Sequence, residues 1–313
     1  MRILFMGTPD FALFSLKALV ESGETVVGVV TQPDKPKGRG KAMTPPPVKV
    51  YAESVGLPVY QPETLKNEAF LDTLKELDPE MIVVTAYGKI LPSYVLDYPK
   101  YHCLNVHGSL LPRYRGAAPM QRAIMEGEKE TGVTIMYMDV GLDTGDMLLK
   151  RSMPIGENDN FETVHDGLGA LGAEALLEAI ELLKKGTAPR EKQDDSLADY
   201  AAKITKEDCR FDFSGDASAL HDRIRGLSPV PVAFFTAADG KMLKILETRK
   251  GSRKGGEPGT VLALSDNGVP GILVSCGAGS LLLTRVVPEG KKPMDAIAYA
   301  NGRGLSVGDK ISS

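Results

Sequence analysis

The sequence predicts an α/β protein: a doubly wound, mostly parallel sheet over residues 1–188, a linker over 189–207 and a small β-barrel over 208–313. Three observations carry this. Short apolar runs alternate with helical segments through the first half, which implies parallel strands joined by crossover helices. The texture changes near residue 208 to short β-like runs separated by Gly-rich turns. A chain of 313 residues is also long for one hydrophobic core.

The elements follow in order. Residues 3–6 form a short apolar run closed by Gly7-Thr8-Pro9, and a helical pattern follows with Phe11, Phe14, Leu16, Leu19 and Val20 on its apolar side. Asp10 stands near the start of that helix, where a carboxylate is favoured. Residues 25–30, 81–85 and 104–107 read as further buried strands, with helices at 48–54 and 69–77 between them. The first turn lacks the second glycine of Gly-x-Gly-x-x-Gly, which argues against a dinucleotide site and so against a nicotinamide oxidoreductase. Residues 147–149 read as a strand and 161–184 as a long helix with Val164, Leu168, Leu171, Ala175 and Leu176 along a core-facing stripe. The polar run 190–196, with Asp199 and Tyr200, reads as linker. Residues 216–226 form a helix on which His221 is expected to be solvated. Strands are expected at 232–236, 242–247, 259–264, 272–275 and 280–287.

Hydrophobic residues make 42% of the chain and charged residues 25%, the balance of a soluble globular protein rather than a disordered or membrane one. The apolar run after Arg2 is too short for a signal peptide or a membrane span. Cys103, Cys209 and Cys276 are odd in number and far apart, so neither a disulfide framework nor a metal site is expected, and a reducing cytoplasm is. The net charge of −4 hides a modest tilt: residues 1–205 carry −7 and residues 206–313 carry +3. Within the first part, loop 32–44 sets Lys35, Lys37, Arg39 and Lys41 against Asp34 alone. Composition leaves two readings of this loop open, a mobile solvated loop or an arm that contacts phosphates.

The densest chemistry lies in Asn105-Val106-His107-Gly108-Ser109-Leu110-Leu111-Pro112, which continues through Arg113, Tyr114, Arg115 and Gly116 to Pro119. In an extended strand Asn105, His107 and Ser109 project from one side while Val106 packs on the other. An amide that donates and an imidazole that donates or accepts are suited to an attacked carbonyl, on whose oxygen negative charge grows. Taken alone, an Asn-x-His pair is more often structural. A second polar segment, 138–146, adds Asp139, Gly141, Asp143, Thr144, Gly145 and Asp146. Aspartic proteases also use Asp-Thr-Gly but need two such loops, and there is one here. A single carboxylate near an imidazole suits orienting it, or holding a water for proton transfer.

These two segments, with Phe5-Met6-Gly7-Thr8-Pro9-Asp10-Phe11-Ala12 at the start, resemble the formyltransferase family that uses 10-formyltetrahydrofolate. The likeness covers nearly the whole chain, strongest over 1–150 and weaker after about 205. It implies a Rossmann-like catalytic domain followed by an OB-like barrel that binds tRNA. The length of the motif and of the chain resembles the branch that formylates the α-amino group of methionine carried by initiator tRNA. On that likeness Asn105, His107 and Asp143 are catalytic. Lys89, Ile90, Leu91, Ser109, Leu110, Leu111, Pro112 and Val140 form the slot for the folate co-substrate. Lys37, Arg39 and Lys41 grip the acceptor end of the tRNA. Without the family, Ile90 and Leu91 read as plain packing. A monomer without a metal is expected. One departure is Pro229-Val230-Pro231, where the family commonly has Trp between the prolines; this chain has no Trp. The rival readings are a formyltransferase or hydrolase acting on a ribonucleotide or amino-sugar amine, disfavoured by the second domain and the basic loop, and a non-catalytic RNA-binding protein, which would have no use for Asn105, His107 and Asp143.

Overall fold

The computed structural model describes residues 1–37 and 42–312. Its elements run β1 (Arg2–Gly7), α1 (Asp10–Glu21), β2 (Thr25–Val30), β3 (Lys35–Lys37), β4 (Ala42–Thr44), α2 (Pro47–Ser54), β5 (Val59–Tyr60), α3 (Leu71–Leu77), β6 (Met81–Thr85), α4 (Ser93–Leu96) and β7 (Cys103–His107). They continue with β8 (Arg115–Gly116), α5 (Pro119–Met125), β9 (Glu130–Tyr137), β10 (Met147–Pro154), α6 (Phe161–Lys184), β11 (Tyr200–Ala201), α7 (Lys206–Cys209) and α8 (Ala217–Gly226). The last are β12 (Ala233–Thr236), β13 (Met242–Lys250), β14 (Val261–Asp266), β15 (Val269–Ser275), β16 (Ser280–Pro288), β17 (Met294–Asp295) and α9 (Ala296–Arg303).

Packing divides the chain into two compact units. One comprises 1–116, 131–153 and 165–200; the other comprises 117–130, 154–164 and 201 onward. Segments 117–130 and 154–164, placed by sequence order with the first domain, thus pack with the second unit. The reason is a close fit that sequence order hides. Gly226 of α8 lets the helix approach α5 so closely that a Cβ there would lie 2.8 Å from Met125 Cγ.

In the first unit the sheet order is β10-β9-β7-β6-β1-β2-β5. Strands β1, β2 and β6 are apolar on both faces, as parallel strands covered by helices require. β1 pairs in parallel with β2 and β6, β2 with β5, and β6 with β7, while β9 runs antiparallel to β7. The chain moves outward from β1 through β2 to β5, then returns to the other side of β1 for β6 and β7. The order therefore reverses between β1 and β6, and in open α/β sheets ligands bind beyond the carboxyl ends of the strands at such a point. Gly7 permits the tight exit from β1, since a Cβ there would lie 2.7 Å from Ala12 Cβ and 2.9 Å from the Thr85 carbonyl oxygen. The loops beyond the strand ends are tied together. Thr8 Oγ1 donates to the Tyr87 carbonyl at 3.1 Å, and Gln32 Nε2 donates to the carbonyls of Tyr87 and Gly88 at 3.0 and 3.1 Å.

The second unit holds an antiparallel sheet ordered β12-β13-β16-β15-β14, with β17 beside β16. Its core includes Phe211, Phe213 and Phe235, packed edge to face with ring centroids 5.0–5.6 Å apart. Asp216 caps α8 by accepting from the Ser218 and Ala219 amides at 2.8 and 3.2 Å. His221 departs from the sequence expectation: it is buried, with Nδ1 2.9 Å from Thr248 Oγ1 and Nε2 2.9 Å from the Glu157 carbonyl oxygen. Both bonds reach residues far off in sequence, so nothing in its own helix signalled them. Burial lowers its basicity and favours the neutral ring. Among the described residues no helix is long and apolar enough to cross a membrane.

Candidate active site

β7 is a central strand of the first unit, flanked by β6 and β9, and its carboxyl end carries the site. Val106 packs on one face against Gly172 of α6. Strand alternation therefore turns Asn105 and His107 to the opposite face. The side-chain carboxamide of Asn105 makes no hydrogen bond among the described residues, and the residue is half-buried. His107 is buried, and its Nε2 lies 3.0 Å from the Tyr114 carbonyl oxygen. A carbonyl only accepts, so Nε2 carries the hydrogen and Nδ1 is the atom left for chemistry. Nδ1 faces Asp143 Oδ1 at 3.7 Å. That gap is too long for a direct hydrogen bond but short enough for one bridging water or a substrate proton.

Asp143 reaches this position through the turn between β9 and β10. Its backbone is left-handed, with φ of 54°, an uncommon conformation for a residue with a side chain. The Gly116 amide donates to Asp143 Oδ2 at 2.8 Å, holding one carboxylate oxygen while the other faces the imidazole. Asp139 organises the start of the turn, accepting from the Gly141 amide at 2.9 Å and from Thr144 Oγ1 at 2.8 Å.

Ser109 lies two residues past His107, beyond the end of β7. Ser109 is 1% exposed, and its hydroxyl donates to the Arg113 carbonyl at 2.7 Å and lies 3.5 Å from the Tyr114 carbonyl oxygen that also meets His107. Ser109 thus shapes the loop that orients the imidazole. Thr134 of β9, unremarked in the sequence, completes that loop: its hydroxyl donates to the Ser109 carbonyl at 2.7 Å and accepts from the Leu111 amide at 3.1 Å.

The other residues assigned by resemblance divide by environment. Ile90 is 85% and Val140 78% exposed, on two loops of the same unit. Leu91 and Leu111 are buried, whereas Leu110 and Pro112 are half-buried. Lys89 turns its ammonium to the carbonyls of Pro62 and Glu63, both at 2.8 Å. Lys37 ends β3, whose pairing with β4 begins the basic hairpin. The Lys37 side chain, Arg39 and Lys41 lie outside the described residues. The base of the hairpin is fixed by Lys49 Nζ against Asp34 Oδ2 at 3.0 Å and by Gln61 Nε2 donating to Asp34 Oδ1 at 2.9 Å.

Comparison with known proteins decides the family. The family model described as formyl transferase matches residues 1–180, and the one described as formyl transferase, C-terminal domain, matches residues 203–304. The chain belongs to the formyltransferase family. This formyltransferase is 50% identical over 308 residues to the methionyl-tRNA formyltransferase of Citrifermentans bemidjiense, covering 98% of this chain and 95% of that one. With the protein of the same name from Caldanaerobacter subterraneus subsp. tengcongensis, identity is 51% over 310 residues, covering 98% and 99%. Among solved structures, an N-formyltransferase of Helicobacter canadensis in complex with folinic acid and dTDP-3-aminofucose matches with a TM-score of 0.66 at 20% identity, covering 90% of this chain and 98% of that one. HypX from Aquifex aeolicus in complex with tetrahydrofolic acid matches with a TM-score of 0.65 at 18% identity, over 98% of this chain. The formyltransferase spans 48% of the HypX chain. At such identities the two structures establish the shared fold.

Proposed function

We propose that this formyltransferase moves a formyl group from 10-formyltetrahydrofolate to the α-amino group of methionyl initiator tRNA. The convergence of Asn105, His107 and Asp143 at the end of β7 carries this reading, within a chain 47–51% identical over nearly its full length to proteins named methionyl-tRNA formyltransferase. The folate supplies an activated formyl carbon. The acceptor amine bonds to that carbon, the bond to the folate nitrogen breaks, and the proton lost by the acceptor finishes on that nitrogen. Asn105 donates to the formyl oxygen as negative charge gathers there. His107 Nδ1 and Asp143 Oδ1 face each other across a gap that suits relaying the proton, with Asp143 also fixing the ring that Tyr114 holds from the other side.

The exposed Ile90 and Val140, with the backbone of 88–91 and the Ser109–Pro112 stretch, offer apolar surface and polar backbone groups of the kind a flat pterin needs. The basic hairpin, with Lys37, Arg39 and Lys41, supplies contacts to tRNA phosphates. A monomeric enzyme of the cytoplasm, where charged tRNA is found, fits the same reading. The deciding experiment is transfer of radiolabelled formyl from 10-formyltetrahydrofolate to methionyl initiator tRNA, beside uncharged tRNA, a ribonucleotide amine and an amino-sugar nucleotide. Label on the charged tRNA alone is expected. Label on another amine alone would keep the chemistry and discard the acceptor.

A further inference from the structure

A buried amide from the stretch that reads as linker grips the turn carrying Asp143. Gln193 is 5% exposed, and its Nε2 donates to the Asp143 carbonyl at 2.9 Å and to the Gly145 carbonyl at 2.7 Å. Its Oε1 accepts from Arg115 Nε at 3.1 Å and Nη2 at 2.9 Å, and Arg115 Nη2 also reaches Asp195 Oδ1 at 2.7 Å. Both donors and both acceptor lone pairs of the carboxamide are thereby used.

The two groups it joins are the two that place the catalytic carboxylate. Asp143 has the left-handed backbone, which a non-glycine residue keeps only when its surroundings over-determine it. Arg115 directly precedes Gly116, whose amide holds Asp143 Oδ2. One side chain therefore fixes both the backbone from which Asp143 projects and the segment that clamps its carboxylate. Neighbouring contacts hold the strap: the Glu191 amide donates to the Met147 carbonyl at 2.9 Å, the Arg115 amide donates to the Asp199 carbonyl at 3.0 Å, and the Tyr114 amide donates to the Asp199 carboxylate.

We propose that Gln193 is a positioning residue that sets the separation of Asp143 from His107, a role that rests on Asp143 working in formyl transfer. It touches no substrate; it acts through Asp143. The test uses the full chain with Gln193→Ala and with Gln193→Met, the latter filling nearly the same volume without the two donors and the acceptor. Both variants are expected to lose roughly 100-fold in kcat while KM for tRNA and for folate stays within about twofold, the pattern of misplaced catalytic geometry rather than lost binding. In the same proteins, the imidazole ¹⁵N resonances of His107 are expected to move in the direction that Asp143→Asn moves them. That signature reports the imidazole's neighbour and not fold stability, and it needs no turnover.

Wild-type kcat in Gln193→Met with unmoved His107 resonances would overturn the proposal and leave Gln193 as packing. Loss of kcat with unmoved resonances would overturn it as well, since the damage would then bypass the His107 and Asp143 pair. Absence of transfer to any amine by the wild-type chain would instead sink the functional reading, with the resonances still deciding whether Gln193 positions Asp143.

Discussion

The roles proposed for Asn105 and Asp143 are separable, and each can be removed by a single substitution. Asn105→Ala deletes the donor proposed to meet the growing charge on the formyl oxygen, and losing one such donor typically costs about 100- to 1,000-fold in kcat. Asp143→Asn keeps the shape but loses the charge facing His107 Nδ1 at 3.7 Å, so a fall of similar order is expected, with KM little changed. Steady-state transfer kinetics check both, and wild-type turnover in either variant would remove that residue from the mechanism. These side chains stood out in the sequence as an amide, an imidazole and a carboxylate within two dense polar segments, and the family resemblance gave them their expected roles. Their meeting was not legible, because the 35 positions between His107 and Asp143 include α5 and β9, and no local period encodes that distance. Gln193 was hidden for a simpler reason, since a glutamine in a polar run gives no sign that it will be buried.

At the scale of elements, the turn between β9 and β10 depends on a close approach that only glycine allows. A Cβ at Gly145 would lie 1.8 Å from the Tyr137 carbonyl oxygen, which is backbone and cannot swing aside. Gly145→Ala is therefore expected to cost about 1–3 kcal/mol of stability and to lower kcat by displacing Asp143, measurable as a lower urea midpoint together with slower transfer. In the second unit, Arg122 of α5 clasps Asp208 of α7 with both terminal nitrogens, at 3.0 and 3.1 Å. The guanidinium holds the Asp208 carboxyl down to about 2 from its ordinary value of 3.8. A depressed acid stabilises the fold above its unfolded pKa and loses that contribution as pH falls through its folded one. The urea midpoint of the wild-type chain should thus fall more steeply between pH 4 and about 2 than that of Arg122→Met, and parallel curves would deny the clasp any role in stability. Strands buried on both faces, such as β1, β2 and β6, were legible as unbroken apolar runs. β9 was not, because Glu130, Thr131, Gly132 and Thr134 interrupt its pattern, although the strand is buried from Thr131 onward. The long α6 was read to its last residue because a 24-residue helix averages out local noise in the apolar period.

Across the whole molecule, charge is the property that reaches furthest, and it poses the question of where a polyanionic acceptor is held. Residues 1–205 are net acidic at −7, so the hairpin bearing Lys35, Lys37, Arg39 and Lys41 is a local reversal of sign in a repulsive setting. Its base is clamped by Lys49, Asp34 and Gln61, and Lys35 Nζ donates to Gln32 Oε1 at 2.7 Å. The basic surplus of +3 after residue 206 offers a second place for phosphate contacts. Salt dependence separates the two, because each phosphate contact releases a roughly fixed number of counterions and adds a fixed increment to the slope of log affinity against log salt. If the hairpin is the main grip, replacing Lys37, Arg39 and Lys41 together by Ala should weaken tRNA binding and flatten that slope by about 2 to 3, while the KM for 10-formyltetrahydrofolate stays unchanged. Filter binding of methionyl initiator tRNA across a salt series reads the slope directly. A variant with the wild-type slope would move the electrostatic grip away from the hairpin, and the same measurement with the basic residues after 206 replaced would then be expected to carry the loss.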